Sequence, residues 1–144
     1  MGFRARLAAL AAIALTAAAP ASSSKLTVTI AGIRSDRGSI FCELFASPNG
    51  YPKDGSKAVQ IKQVAIHQRA ASCTFEGVTP GSYAVAAYHD ENGNGKLDTN
   101  FLGIPSEGVG ASNDAKGSMG PPSFEKAKLA VTTADLGITI QLRY

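Results

Sequence analysis

Leu26-Thr27-Val28-Thr29-Ile30 decides the reading of the fold. Apolar residues occupy every second position with β-branched threonines between them. A pleated strand puts such a set on one face, because its successive side chains point to opposite sides. Moving outward, Arg34-Ser35-Asp36-Arg37-Gly38 supplies a turn, and Ser39 to Ala46 forms a second strand that runs into the irregular loop Pro48-Asn49-Gly50-Tyr51-Pro52. Further strands are expected over 58–66, 71–75, 82–88, 127–132 and 138–142. His67-Gln68-Arg69-Ala70 is the turn between the third and fourth, and Asp135-Leu136-Gly137 joins the last two. No stretch beyond the N-terminal region keeps apolar residues at helical spacing for three turns. The pattern predicts an all-β chain of about seven strands, an antiparallel β-sandwich with one long Gly/Asn/Pro-rich loop.

The N-terminal residues follow a different logic. Arg4 and Arg6 precede an uncharged run from Leu7 to Ala19, and Ala19-Pro20-Ala21 then supplies small residues. This is the layout of a secretory signal peptide, with cleavage expected after Ala21 because Pro20 cannot follow the cut directly. The run of 13 residues is too short to span a bilayer core, which needs roughly 20 helical residues. No cysteine stands close behind it for lipid attachment, and no later segment is long and apolar enough to cross a membrane. The expected organisation is a leader, 1–21, and one domain, 22–144, in the periplasm or secreted. Loss of Arg4 and Arg6 lowers the formal charge from +3 to +1, which removes the compositional case for nucleic-acid binding.

Both cysteines, Cys42 and Cys73, fall in the exported part, where an even pair tends to oxidise. Cys42 shares a strand face with Ile40 and Leu44, and Cys73 shares one with Phe75. On neighbouring strands they would form a disulfide closing a loop of about 30 residues, a stabilisation of roughly 3 to 4 kcal/mol. The alternative is two buried thiols serving as small hydrophobes. Redox catalysis lacks its Cys-x-x-Cys spacing.

The segment from His89 to Glu125 is too long for an ordinary connection and is the first place to look for function. It opens with Asp90-Glu91-Asn92-Gly93-Asn94-Gly95-Lys96-Leu97-Asp98, which matches the first nine positions of an EF-hand-type calcium loop. A hard divalent ion takes six to eight oxygens, and alternate residues of a tight loop can turn theirs inward. Asp90, Asn92, Asn94 and Asp98 would offer side-chain oxygens and Lys96 its carbonyl. The match breaks at position 12, where Phe101 replaces the bidentate glutamate, so Glu107 is the nearest acid to complete a shell with water. A strand, not a helix, leads into the loop. The competing reading is metal-free, since Asn92-Gly93 and Asn94-Gly95 form turns unaided.

No catalytic residue is assigned. His89 and Asp90 are neighbours on a strand and face opposite ways, no Gly-x-Ser-x-Gly elbow is present, and His67 lies in a polar turn. No glycine-rich phosphate loop stands between a strand and a helix. The chain has no Trp, and Tyr83 and Tyr88 read as core or corner residues before ligand contacts.

Several strings taken in order carry a family resemblance. They are Phe75-Glu76-Gly77-Val78-Thr79-Pro80-Gly81-Ser82-Tyr83-Ala84-Val85, the loop His89 to Asp98, Leu102-Gly103-Ile104-Pro105-Ser106-Glu107-Gly108 and Gly120-Pro121-Pro122-Ser123-Phe124. Together they resemble the bacterial exported proteins of the domain-of-unknown-function family 2141 over nearly the whole exported part. The string Phe75 to Val85 by itself is similar to transthyretin-like and carboxypeptidase-regulatory-like sandwiches, which implies an immunoglobulin/transthyretin-like fold and no particular site. The leading expectation is a calcium-stabilised binding or structural module of the bacterial envelope, with an unidentified envelope component or ligand as partner. The alternatives are a metal-dependent enzyme working at the 89–125 loop and a polysaccharide- or peptide-binding module.

Overall fold

The computed structural model describes residues 12–144. The expected leader lies outside the described residues as far as position 11, and 12–23 carry no regular secondary structure. Strand β1 (Ser24–Ala31) begins the domain and is the central strand of a three-stranded sheet. Its alternation works as the sequence dictates, with Leu26, Val28 and Ile30 no more than 2% exposed on one face. One neighbour is β4 (Ala71–Val78), antiparallel; the other is β8 (Leu136–Gln141), which runs parallel to β1 with Leu26 opposite Leu136 and Ile30 opposite Ile140. Parallel pairing needs a long connection, and here that connection is the rest of the domain.

The second sheet has the order β3-β2-β5-β6, built from β2 (Ser39–Phe45), β3 (Gln60–Ala65), β5 (Gly81–Asp90) and β6 (Val109–Ala111). Ten residues long, β5 shares its far edge between two short partners: Gly81–Tyr83 pair with β7 (Leu129–Val131) and Ala86–Tyr88 with β6. The all-β sandwich is thus as read, with eight strands in place of about seven and one parallel pair among antiparallel ones. The eighth strand, β6, is a three-residue piece of the long excursion, and Leu136-Gly137 belong to β8 and not to the turn before it. The 67–70 turn forms as expected: Gln68 and Arg69 both take positive φ, 52° and 57°, as a two-residue hairpin requires.

Between the sheets lie Ile40, Cys42 and Leu44 of β2, Val85 and Ala87 of β5, Cys73 and Phe75 of β4, and Ile140, none more than 3% exposed. Each large aliphatic or aromatic side chain so placed contributes about 1.5 to 3 kcal/mol. Cys42 and Cys73 are joined, with Cα atoms 6.4 Å apart. The bond runs from one sheet to the other rather than between neighbouring strands, because β2 and β4 lie in different sheets. Tyr83 is a corner residue, its hydroxyl donating to the carbonyl of Thr79 at 2.8 Å.

A second apolar layer covers the outer face of the larger sheet. Phe45, Ala84, Ala86 and Ala111 pack there against Phe124 and Ala127 of a one-turn helix, α1 (Phe124–Ala127). The end of the excursion is therefore held to the sheet by apolar side chains. Ser112, fully buried, is its staple: the hydroxyl donates to the carbonyl of Ala127 and accepts the N–H of Val85. Among the described residues no helix is long and apolar enough to cross a membrane.

Candidate functional site: the Asp90 loop and the groove beside it

Strand β5 ends by sending alternate residues to two different tasks. His89 continues the inner file of Tyr83, Val85 and Ala87 and is fully buried. Its Nε2 lies 2.6 Å from the carbonyl of Arg37, which can only accept, so Nε2 carries the proton. Nδ1 is then the acceptor for the Tyr144 hydroxyl at 2.7 Å, and that hydroxyl in turn accepts the Arg34 N–H. Both ring nitrogens are thus taken up in tying the C-terminus to the 34–37 turn. The Arg34 guanidinium lies 4.2 Å from the centre of the Tyr144 ring and pairs with Glu91.

Asp90 points the other way, into the loop that follows, and is also fully buried. One carboxylate oxygen accepts the N–H groups of Gly93 and Asn94, and the other that of Gly95 at 2.8 Å. Gly93 and Gly95 stand at φ 73° and 78°, which lets the chain curl around the carboxylate with successive N–H groups inward. Asn92 and Asn94 both turn their side chains to Asp98, with Asn94 Nδ2 at 2.9 and 3.0 Å from the two carboxylate oxygens. These bonds, Asn94 first and Asn92 second, hold the Asp98 carboxyl below the usual carboxylate range. Lys96 joins the same turn through its N–H to Asn94 Oδ1.

Glu107 reaches the loop as its acidic character suggests. Its two oxygens accept the N–H groups of Glu91 at 2.9 Å and Asp98 at 3.0 Å, which clamps both ends of the loop. Of the six residues singled out by the loop's spacing, Asn92, Asn94 and Asp98 meet through their side chains, whereas Asp90 and Glu107 turn their carboxylate oxygens to backbone N–H groups and Lys96 takes part through its N–H. Among the described residues no three His, Cys, Asp or Glu converge as ion ligands, so any ion here would draw on amide oxygens. The two asparagines suit this. Each meets Asp98 through its amide nitrogen, and a half-turn of the amide would replace that nitrogen with oxygen, giving three oxygen-bearing side chains around one point.

The loop is also one wall of a groove of about 1300 Å³ on the outer face of the larger sheet. Tyr88 connects the two, since its ring lies on the groove floor, stacked on Phe41, while its hydroxyl bonds the Gly95 carbonyl. Burial first, then the charges of Glu43, Asp90 and Glu107, push that hydroxyl up to about 12. Beside it Glu43 is only 8% exposed, and desolvation ahead of the nearby Asp54 charge raises its carboxyl. The groove's other walls are the 51–55 loop and the 114–122 segment. Sequence reading passed over Glu43, Lys53, Lys116 and Met119, which line it. The available signal was the apolar cluster Phe101-Leu102 and Ile104 in an otherwise polar stretch.

No curated protein and no solved structure matches this chain. The family described as an uncharacterized protein conserved in bacteria matches residues 28–139, from within β1 to within β8, and takes in both sheets, the Asp90 loop and most of the groove. The chain is a member of the DUF2141 family.

Proposed function

We propose that this protein is an exported, calcium-stabilised binding module of the bacterial envelope, periplasmic or secreted, and that the Asp90 loop is its ion site. The observation that carries the proposal is the Asp98 cluster. Two asparagine side chains converge on one low-lying carboxylate in a loop already curled around Asp90, so a divalent ion needs only amide reorientation and water to complete its shell. An ion there would stiffen the wall of a groove, which is the contribution a binding module requires. Export is supported by the leader pattern of residues 1–21 and by the disulfide, a bond that persists in oxidising compartments.

The test is a thermal midpoint in excess EDTA and again in calcium, on the protein recovered from the exported fraction of cells expressing the full chain. A ligand at 100 times its dissociation constant adds about 2.7 kcal/mol, a rise of about 10 °C for a domain of this size. Calcium is expected to raise the midpoint of the parent and not of Asp98→Ala. The Asp98 variant is the informative one, because Asp90 is needed to shape the loop whether or not an ion binds. A parent midpoint identical in EDTA and calcium overturns the ion site. Mass analysis of the same sample is expected to give a chain beginning at Ser22, and an intact N-terminus overturns the leader.

A further inference from the structure

The groove on the larger sheet has a composition that neither the calcium loop nor the sandwich core requires. Its largest apolar side chains are Tyr51, Tyr88, Leu97, Leu102, Ile104 and Met119. Leu102, Ile104 and Met119 are 68%, 55% and 102% exposed, and their gathering around one groove is the kind of apolar patch that marks a binding site. The exposure is built in. Asn100 Oδ1 accepts the N–H groups of Leu102 and Ile104 at 2.9 and 3.1 Å, the Asn100 N–H bonds the Ile104 carbonyl, and Thr99 pairs with Pro105. A turn closed in this way holds its apolar side chains at the groove's lip.

Charge is distributed unevenly around the same groove. Lys53, Lys96, Lys116 and Arg143 line it, and among the described residues none of the four is in an ion pair. The two acids of the lining are accounted for. Asp114 accepts the Gln141 N–H at 2.9 Å, and Glu43 lies on the floor, only 8% exposed and away from the lip. The groove thus combines an apolar lining with four cations that make no ion pair among the described residues, against two acids. A sugar polymer would find few flat aromatic faces in it, and a free phosphate would have no use for the apolar length.

We infer that the groove binds a single-chain acyl amphiphile with an anionic head group, the chain lying along Tyr88, Leu97, Leu102 and Ile104 and the head among Lys53, Lys96, Lys116 and Arg143. The inference rests on the reading of the chain as a binding module but not on calcium. The test is calorimetric titration of the protein with lauroyl-lysophosphatidylglycerol below its micelle concentration, beside lauroyl-lysophosphatidylcholine and glycerol phosphate. The anionic lysolipid is expected to bind saturably and at least about tenfold more tightly than the choline form, and glycerol phosphate not to bind. Lys53→Glu/Lys116→Glu, both at exposed positions and outside the Asp90 loop, should weaken binding by about tenfold or more with an unchanged thermal midpoint. Leu102→Ser/Ile104→Ser should abolish it. Absence of saturable binding, equal affinity for the choline form, equal affinity for glycerol phosphate, or a charge-reversed variant as tight as the parent each overturns the proposal. Titrations run in EDTA and in calcium separate the two readings. Lysolipid binding without a calcium effect on the midpoint removes only the ion site, and a calcium effect without lysolipid binding removes only the groove's ligand.

Discussion

The two faces of the five-stranded sheet are made from the same strands and do opposite work. On the inner face Ile40, Cys42, Leu44 and Val85 meet the other sheet with no exposed surface, and a covalent bond crosses the gap. On the outer face the alternate residues of those strands are Phe41, Glu43, Phe45, Ala84, Ala86 and Tyr88, and only Phe45 and the alanines are closed over, by Phe124 and Ala127. Glu43 and Tyr88, the latter backed by Phe41, are left as part of the floor of a groove. The difference teaches that the excursion covers half of a sheet face and leaves the other half, next to the Asp90 loop, for something outside the chain.

The largest effect expected is in the inner layer. Phe75→Ala should cost about 4 kcal/mol, whereas Phe124→Ala, at the edge of the smaller outer cluster, should cost less by at least about 1 kcal/mol; denaturant midpoints of the two compare the layers directly. Equal losses would mean that the layers are one cooperative unit. Next, Cys42→Ala/Cys73→Ala should lose about 3 to 4 kcal/mol and leave the groove intact, checked by the same midpoints and by lysolipid binding. A smaller loss, about 2 kcal/mol, is expected for Asp90→Ala, which leaves the N–H groups of Gly93 and Gly95 without their acceptor and that of Asn94 with Asn92 Oδ1 alone, and amide exchange at Gly93 and Gly95 should accelerate most.

The smallest effect is electrostatic and confined to the outer face. The Glu43 carboxyl is raised in the folded protein by desolvation and then by Asp54, so the native state holds that proton more tightly than the unfolded chain does. For an acid shifted upward, stability falls as pH rises from its unfolded value through its folded one, and no penalty remains where both states are protonated. Glu43→Gln should therefore stabilise the protein at neutral pH by under about 1 kcal/mol, since the groove admits solvent that screens the charge, and do nothing below the unfolded carboxyl range. Unfolding midpoints on both sides of that window measure it. A loss of stability at neutral pH in Glu43→Gln would show that the carboxylate has a partner in the groove.

The strands were legible because each carries a local signal: Leu26 to Ile30 alternates, Ser39 to Ala46 and Ser82 to Tyr88 are short apolar runs bounded by turn residues, and all three are strands, the second ending at Phe45. Strand β6 was not, because Val109-Gly110-Ala111 is too short to show a period and forms only where β5 offers an edge. The same holds for α1, a single turn stabilised by the Ser123 cap and by burial of Phe124 and Ala127. The Asp90 loop could be read from its spacing, since the bonds that curl it around Asp90 and join Asn92 and Asn94 to Asp98 are all local, with Glu107 and Arg34 reaching it from outside. The groove could not, because Glu43, Lys53, Lys96, Lys116 and Arg143 come from five separate stretches that no local pattern connects.

By itself the sequence determined the all-β class, the turn at 67–70, the curled loop at 90–98 and the pairing of two cysteines, all features set by residues near one another or by simple count. Tertiary structure alone decided that the disulfide joins the two sheets, that β8 lies parallel to β1, and that the excursion folds back over one half of an outer face. Those outcomes depend on which surfaces meet across long separations. The free energy of burying Phe45, Ala84 and Ala86 under Phe124 is realised only once both sheets exist to be covered.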